Sequence, residues 1–377
     1  MAESNEEQRV GPLELFFDLV FVFAITQVTA MMADDPTWGG LGRGLLVLGA
    51  VWWAWAAYAW LTNFIDTERS GVRLTMFAAM AAMLLVSLTV PGAFGDDALL
   101  FGLAYLTVRA LHIVLYALSA DDVDIKGAIR ALAWSSFAGT SLILVAAAFD
   151  GAVQGALWCV ALAIDYAGPA IRGTSGWRIA ASHFAERFAL IIIIALGESI
   201  VAIGAGAPEL SGLVIVAAVL GTTVAAAMWW GYFDVVAIVA ERRLAALSGD
   251  EQIRMARDSY AYLHVVMVAG IVLGALGFKK VLADVEDPLK LVPAVALCGG
   301  VALYLVGHIA FRLRNVHSLN RPRLIAAVGC LALIPVATAV PALAALAGVA
   351  VVVSLEVAYQ TIHYREARAR VRAATAV

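Results

Sequence analysis

The sequence predicts an all-α polytopic membrane protein with about 12 transmembrane helices, arranged as two six-helix parallel repeats. Of its 377 residues, 63% are hydrophobic and 14% are charged, and the mean hydropathy is +0.89. Ordinary soluble domains are about 45–50% apolar and about 25% charged. The apolar residues are grouped in runs of about 20, long enough to cross the roughly 30 Å hydrocarbon core of a bilayer. The composition therefore excludes a soluble globular protein.

Apolar runs bounded by charges, glycine or proline predict the individual helices. Only a break around Pro341 separates the last two runs, so the expected number of spans is ten to twelve. The twelve runs cover, within a few residues, 13–32, 42–63, 73–91, 98–118, 128–149, 153–170, 184–205, 211–233, 259–281, 290–311, 322–340 and 342–362.

The distribution of Lys and Arg predicts that both termini are cytoplasmic, because basic residues are concentrated in cytoplasmic loops. With an inside N-terminus, the outer segments hold only Arg43, Lys279, Lys280 and Lys290. The acidic N-terminus lacks the basic start of a secretory signal, so the first helix is expected to remain in the mature protein. We therefore expect a multi-pass protein of the bacterial inner (plasma) membrane.

A weak similarity between the two halves predicts the internal repeat. Glu14-x-Phe16 aligns with Glu186-x-Phe188, and Ile164-Asp165 corresponds to Leu355-Glu356. Six helices are an even number, so both repeats would enter the membrane with the same polarity. The predicted organisation is a cytoplasmic N-terminal segment (1–12), a first repeat (13–170), a cytoplasmic linker (171–183), a second repeat (184–362) and a basic cytoplasmic tail (363–377).

Two carboxylates one turn apart, Glu14 and Asp18, lie at the start of the first predicted helix. A charge inside hydrocarbon costs roughly 2.5–3.5 kcal/mol on insertion scales, so it rarely occurs without a partner or a function. Residues at i and i+4 share a helix face. Two interpretations stay open: acids that cap the first turn of the helix, or a cation or proton site at the mouth of a polar interior.

His183, Glu186 and Arg187 open the seventh predicted helix with i, i+3, i+4 spacing, which predicts that all three share one face. One interpretation is a local Glu–Arg ion pair. The other uses His183 as a proton carrier, because histidine side chains change charge near neutral pH.

Other polar residues fall deeper in the predicted spans, with few buried bases to balance the acids. Glu198 follows Gly197 and precedes Ser199, and we expect it either to exchange a proton or to form a static pair with Arg109. Asp165 and Glu356 occupy matching places, which favours either interhelical hydrogen bonds or a shared role in lining a cavity. His264, His308 and the three cysteines are expected to be core residues, without a disulfide framework or a metal site.

Two stretches carry a resemblance to a known family. Residues 14–26, ELFFDLVFVFAIT, resemble the opening signature of the bacterial low temperature requirement protein A (LtrA) family. Residues 183–188, HFAERF, and 195–199, ALGES, are similar to its second signature, and Trp52-Trp53-Ala54-Trp55 also fits. The resemblance covers roughly residues 11–365. It implies a multi-helix inner-membrane protein linked to growth in the cold and implies no particular reaction.

The first hypothesis for function is a transporter or channel that moves protons, another small cation, or a solute coupled to protons. The second is an intramembrane enzyme in which the acids act on a lipid or isoprenoid; the third is a sensor or scaffold without turnover. No nucleotide-binding or hydrolase motif occurs in a credible context. The expected surroundings are the lipid bilayer, with a proton or small cation as ligand, no cofactor, no metal and no nucleic acid; a homodimer is one open alternative for assembly.

Overall fold

A computed structural model describes residues 9–119, 123–171, 177–206 and 209–373. Within these ranges the chain is helical, and the only pairing of strand type is an isolated bridge between Pro288 and Pro341. Parts of the predicted N-terminal segment, linker and tail lie outside the described residues. The all-α prediction is confirmed.

Sixteen α-helices follow one another in the described chain. Their bounds are α1 Pro12–Asp34, α2 Trp38–Thr62, α3 Ser70–Thr89, α4 Ala98–Ser119, α5 Val123–Ala146, α6 Gly151–Ile171, α7 Ala181–Gly206, α8 Gly212–Phe233, α9 Val236–Ala245, α10 Gly249–Met255, α11 Leu263–Ala283, α12 Leu291–Ala294, α13 Gly300–Val316, α14 Arg321–Ala337, α15 Ala342–His363 and α16 Arg365–Ala373. Two π-helical segments, Ala256–Tyr262 and Val295–Gly299, make α10–α11 and α12–α13 continuous.

Eleven helices or continuous helix pairs in the described chain are long and apolar enough to cross a membrane. The predicted span 322–340 corresponds to α14, which has 17 residues, whereas the eleven candidate spans have 20 to 35 residues. The break at Pro341 is present, because α14 ends at Ala337 and α15 begins at Ala342. The chain is therefore a multi-pass helical membrane protein, and twelve spans stay a prediction.

The outer surface carries large apolar side chains, as expected for helices that face lipid. Leu74, Leu118, Trp134 and Ile171 are each more than two-thirds exposed. Cys159 is also exposed, so its predicted place in the core is wrong; Cys298 and Cys330 are buried as expected. An apolar run does not distinguish the two environments, because lipid and protein core are both apolar.

The helices form two compact units. The first comprises Met1–Met31, Gly39–Phe188 and Leu247–Arg254, within the described residues. The second comprises Met32–Trp38, Ala189–Ala246 and Met255–Val377. Helices α1 and α7 each contribute to both units. The first unit therefore contains the first two turns of α7, next to helices α1 to α6.

Glycines allow α11 and α13 of the second unit to pack with their backbones in contact. A Cβ atom on Gly270 would lie within 3.0 Å of the backbone of Gly300 and Tyr304 in α13, and one on Gly277 would meet the backbone of Leu297, in the π-helical segment before α13, equally closely. Small residues at membrane helix interfaces permit this approach and the dispersion contacts that come with it. This pair forms the centre of the second unit.

Candidate functional site

Two acids of α1 face two bases of α7 inside the first unit. His183 Nε2 lies 2.9 Å from Glu14 Oε2, and Arg187 Nη2 donates to Asp18 Oδ1 over 2.9 Å. Arg187 Nη1 lies 3.8 Å from Glu14 Oε1, which links the two contacts. Each helix presents its pair at i and i+4, so the pairs lie on matching stripes. We call these four residues the acid–base cluster.

Helix α2 encloses the cluster on another side. The indole Nε1 of Trp55 donates to Asp18 Oδ1 over 2.9 Å, and its ring lies 5.9 Å from the Arg187 guanidinium carbon. Phe188 packs edge-on against Trp55, with ring centroids 4.9 Å apart. No member of the cluster is more than 2% exposed. The charges therefore interact in an environment that screens them poorly.

The net charge of the cluster depends on His183. With both carboxyl groups ionised, Glu14 and Asp18 supply two negative charges and Arg187 supplies one positive charge. A protonated His183 makes the sum zero, and a neutral His183 leaves one excess negative charge. Because an uncompensated buried charge is costly, one proton at this histidine changes the electrostatic balance of the whole cluster.

Several polar atoms of the cluster make no hydrogen bond within the described chain. They are Glu14 Oε1, Asp18 Oδ2, His183 Nδ1, and Arg187 Nε and Nη1. Buried polar groups in native structures usually have partners, and exceptions merit a functional explanation.

The capping interpretation of Glu14 also has support. Glu14 Oε2 accepts from the backbone N–H of Gly11, 2.9 Å away, just before α1 begins. Asp18, one turn further along, is used by Arg187 and Trp55 instead. Of the two buried acids of the first helix, Glu14 therefore also caps the helix start, whereas Asp18 does not.

Glu186 is not part of the cluster, so the prediction that it shares a face with His183 and Arg187 is wrong. Its side chain is exposed and accepts from the backbone N–H of Val10 over 3.1 Å. Successive residues of a helix are roughly 100° apart, which turns Glu186 away when Arg187 points inward. The predicted Glu–Arg pair at this helix start is replaced by the pairs with α1.

A second buried ion pair joins α4 and α6 of the first unit. Arg109 Nη2 lies 2.9 Å from Asp165 Oδ1 and also donates to Ser136 of α5. Asp165, not Glu198, is thus the acidic partner of Arg109. On the next turn of α4, the imidazole of His112 contacts the carbonyl oxygen of Ala57 at 3.1 Å.

A third buried ion pair lies in the second unit. Arg323 Nε donates to Glu356 Oε1 over 3.1 Å, and Arg323 also contacts His308. This role of Arg323 was not predicted from the sequence. Helical spacing does indicate it, because Arg323 lies on the same face of α14 as the buried small residues Ala326, Ala327 and Cys330. The expectation of few buried bases is therefore wrong: Arg109, Arg187 and Arg323 each meet a buried acid.

Glu198 and Ser199 lie on α7 within the second unit and are both buried. Both lie within a helix long enough to span a membrane, and their depth in the bilayer and their participation in proton exchange stay predictions. His264 is a core histidine as expected, bonded to Tyr232 and to the carbonyl oxygen of Ser259.

The comparison with known families decides the assignment of the chain. The family of bacterial low temperature requirement A proteins (LtrA) matches residues 9–358. This chain belongs to the LtrA family. Among individual relatives, the uncharacterized protein RA0937 of Rhizobium meliloti (strain 1021) is 32% identical over 325 residues, which is 81% of this chain and 77% of that protein. No solved structure matches the chain.

The two signature stretches of this LtrA chain contact each other in the folded protein. The ELFFD stretch supplies Glu14 and Asp18, and the HFAERF stretch supplies His183 and Arg187. The two stretches are 169 residues apart in sequence and meet in the acid–base cluster. The resemblance noted from the sequence thus corresponds to one buried site.

Proposed function

We propose that this LtrA chain is a proton-linked transporter or channel of the bacterial inner membrane, with the acid–base cluster as its proton site. The observation that carries the proposal is the 2.9 Å contact between His183 and Glu14 inside a cluster with two acids, one arginine and one histidine. Gain or loss of one proton changes the buried charge by one unit. A charge change of this size in a poorly screened site is sufficient to favour a different helix arrangement.

Intramembrane acids and histidines are typical of proton relays, and paired acids and bases of this kind mark ion pathways. An enzyme acting on lipid would need its general acid or base within hydrogen-bond reach of the substrate. Glu14 and Asp18 are at most 2% exposed and are engaged with other side chains, which favours proton transfer over direct contact with a lipid.

A duplicated six-helix organisation, twelve spans and cytoplasmic termini are part of the proposal. The fourth, fifth and sixth helices of the first half contribute Arg109, Ser136 and Asp165 to one polar group. The corresponding helices of the second half contribute His308, Arg323 and Glu356 to another. In both groups a base bridges to an acid on the sixth helix, although the arginine lies on the fourth helix in one half and the fifth in the other.

Reconstitution in liposomes tests the function. The full chain is placed in vesicles with an internal pH-sensitive dye, and a pH or cation gradient is imposed. We expect a proton flux that falls at least tenfold in His183→Gln and Asp18→Asn, with Glu186→Gln as the matched control at normal flux. Wild-type protein that is folded yet passes no protons or cations under any gradient would overturn the proposal.

A further inference from the structure

A cavity of about 370 Å³ lies in the second unit. The ends of α8, α13 and α15 and the start of α14 form its walls, and α9 and α16 supply further lining. The volume is within the range of about 300–1,000 Å³ that is typical of small-molecule sites. Its location at helix ends, beside the basic last helix, is that of an interfacial site.

One wall of the cavity is rich in hydrogen-bond donors with positive charge. Arg312 and Arg321 line it, and Arg312 Nε is held by Ser318 Oγ at 2.9 Å. The acid on the wall, Asp234, forms ion pairs with Arg368 and Arg372. The negative charge is thus already compensated, and the two remaining arginines give the wall a net positive charge.

Asn315 provides an independent indication of a ligand. It lines the cavity and is only 6% exposed. Its Oδ1 accepts from Ser259 of the π-helical segment, while its Nδ2 donates to no group within the described chain. Burying an amide donor without a partner is unfavourable, and an acceptor from a ligand would remove that cost. π-helical turns are frequent at functional sites.

The cavity also has an apolar lining. Trp230, Val239, Phe311 and Val357 contribute to it, and the Arg368 guanidinium carbon lies 5.9 Å from the Trp230 ring centroid. A ligand that satisfies both kinds of lining carries an anionic group for Arg312, Arg321 and Asn315, and a hydrocarbon part for the apolar side chains. Basic pockets between helices on the cytoplasmic side of membrane proteins bind anionic lipid head groups in this way.

We propose that this cavity binds an anionic phospholipid, with the head-group phosphate between Arg312, Arg321 and Asn315. The site does not depend on the proton function proposed for the first unit. Gln360 connects the cavity to the buried ion pair of the second unit, because it lines the cavity and donates to Glu356. The lipid is therefore placed to influence the Arg323–Glu356 pair through one intervening side chain.

Lipid binding to the purified full chain tests this site. Native mass spectrometry and thermal-shift measurements compare phosphatidylglycerol, phosphatidylcholine and inorganic phosphate. We expect phosphatidylglycerol to bind and stabilise the protein more than phosphatidylcholine, and its binding to weaken about tenfold or more in Arg312→Gln/Arg321→Gln, since hydrogen bonds to charged groups are the stronger kind. Arg365 is an exposed residue of α16 that does not line the cavity. The Arg365→Gln variant removes one positive charge and should bind phosphatidylglycerol like the wild type.

A second variant keeps the test decisive if the double variant does not fold. Val239→Trp fills the apolar side of the cavity and leaves every charge in place, so it should also abolish the preference for phosphatidylglycerol. Equal binding of phosphatidylglycerol and phosphatidylcholine would overturn the proposal. It would also be overturned if Arg365→Gln weakened phosphatidylglycerol binding as much as Arg312→Gln/Arg321→Gln does, because that result indicates general attraction to surface charge. Stabilisation by inorganic phosphate alone would identify a free-anion site and would overturn the lipid assignment.

Discussion

Glu14 and His183 are 169 residues apart in sequence, yet their side chains meet at 2.9 Å in the interior of the first unit. Arg187 and Asp18 repeat the contact one turn further along the same two helices, also at 2.9 Å. The first turns of α1 and α7 are thereby joined by two charged contacts in a poorly screened environment. The consequences for stability and for pH dependence can be tested separately.

The pH dependence of transport should follow the charge balance of the acid–base cluster. In Glu14→Gln, Asp18 and Arg187 balance each other while His183 is neutral, so a proton on His183 is no longer needed for neutrality. We expect the proton flux to vary with pH over the physiological range in the wild type and to vary much less in this variant. Flux measured in liposomes across that range checks the prediction, and an unchanged pH profile would contradict it.

Loss of Arg187 should destabilise the protein strongly. Arg187→Met leaves Glu14 and Asp18 together in a buried site, and removing one partner of a buried pair costs about 3–5 kcal/mol. The thermal midpoint in detergent measures the loss, with exposed Glu186→Gln as the control. Adding Asp18→Asn to Arg187→Met should restore part of the stability, because one of the uncompensated charges is removed. No recovery in the double variant would argue against the electrostatic origin.

Arg109 and Asp165 should behave as one energetic unit. Arg109→Met and Asp165→Leu each leave a buried charge unpaired and should cost about 3–5 kcal/mol, whereas the double variant should cost much less than the sum. A double-mutant cycle on thermal stability measures the coupling. Additive effects would show that the 2.9 Å contact contributes little to folding.

Two glycines of α11 should differ in their tolerance of alanine. A Cβ atom on Gly277 would lie within 3.0 Å of the Leu297 backbone, while one on Gly274 would meet only Val301 Cγ2 at 3.9 Å. Gly277→Ala should therefore destabilise by about 1–3 kcal/mol through overpacking. Gly274→Ala should be neutral or stabilising, because alanine is the better helix former by about 1 kcal/mol. Equal thermal midpoints would contradict the packing described for α11 and α13.

Helix periodicity predicted part of the site and failed at Glu186. The i, i+4 spacing of Glu14 and Asp18 placed both on one face, and both are buried. The same rule grouped Glu186 with His183 and Arg187, although a helix can bury a stripe that includes only two of them. The burial of Arg323 was not predicted, because its position close to Arg321 is typical of a charged loop. Only its place on the same helix face as Ala326, Ala327 and Cys330 indicates that it is buried.

The sequence by itself determined the membrane class, the helical fold and most span positions. The reason is that the length of an apolar segment, which is a local property, decides whether it can cross the bilayer as a helix. The two signature stretches were also visible as isolated features. Only the tertiary structure decided that Glu14 contacts His183, that Asp165 pairs with Arg109, and that Arg323 is buried against Glu356. Those pairings join distant parts of the chain, and which helix faces meet is set by packing across the whole unit. The acids of the first helix are therefore one side of a buried cluster of acids and bases, and the other side begins the seventh helix.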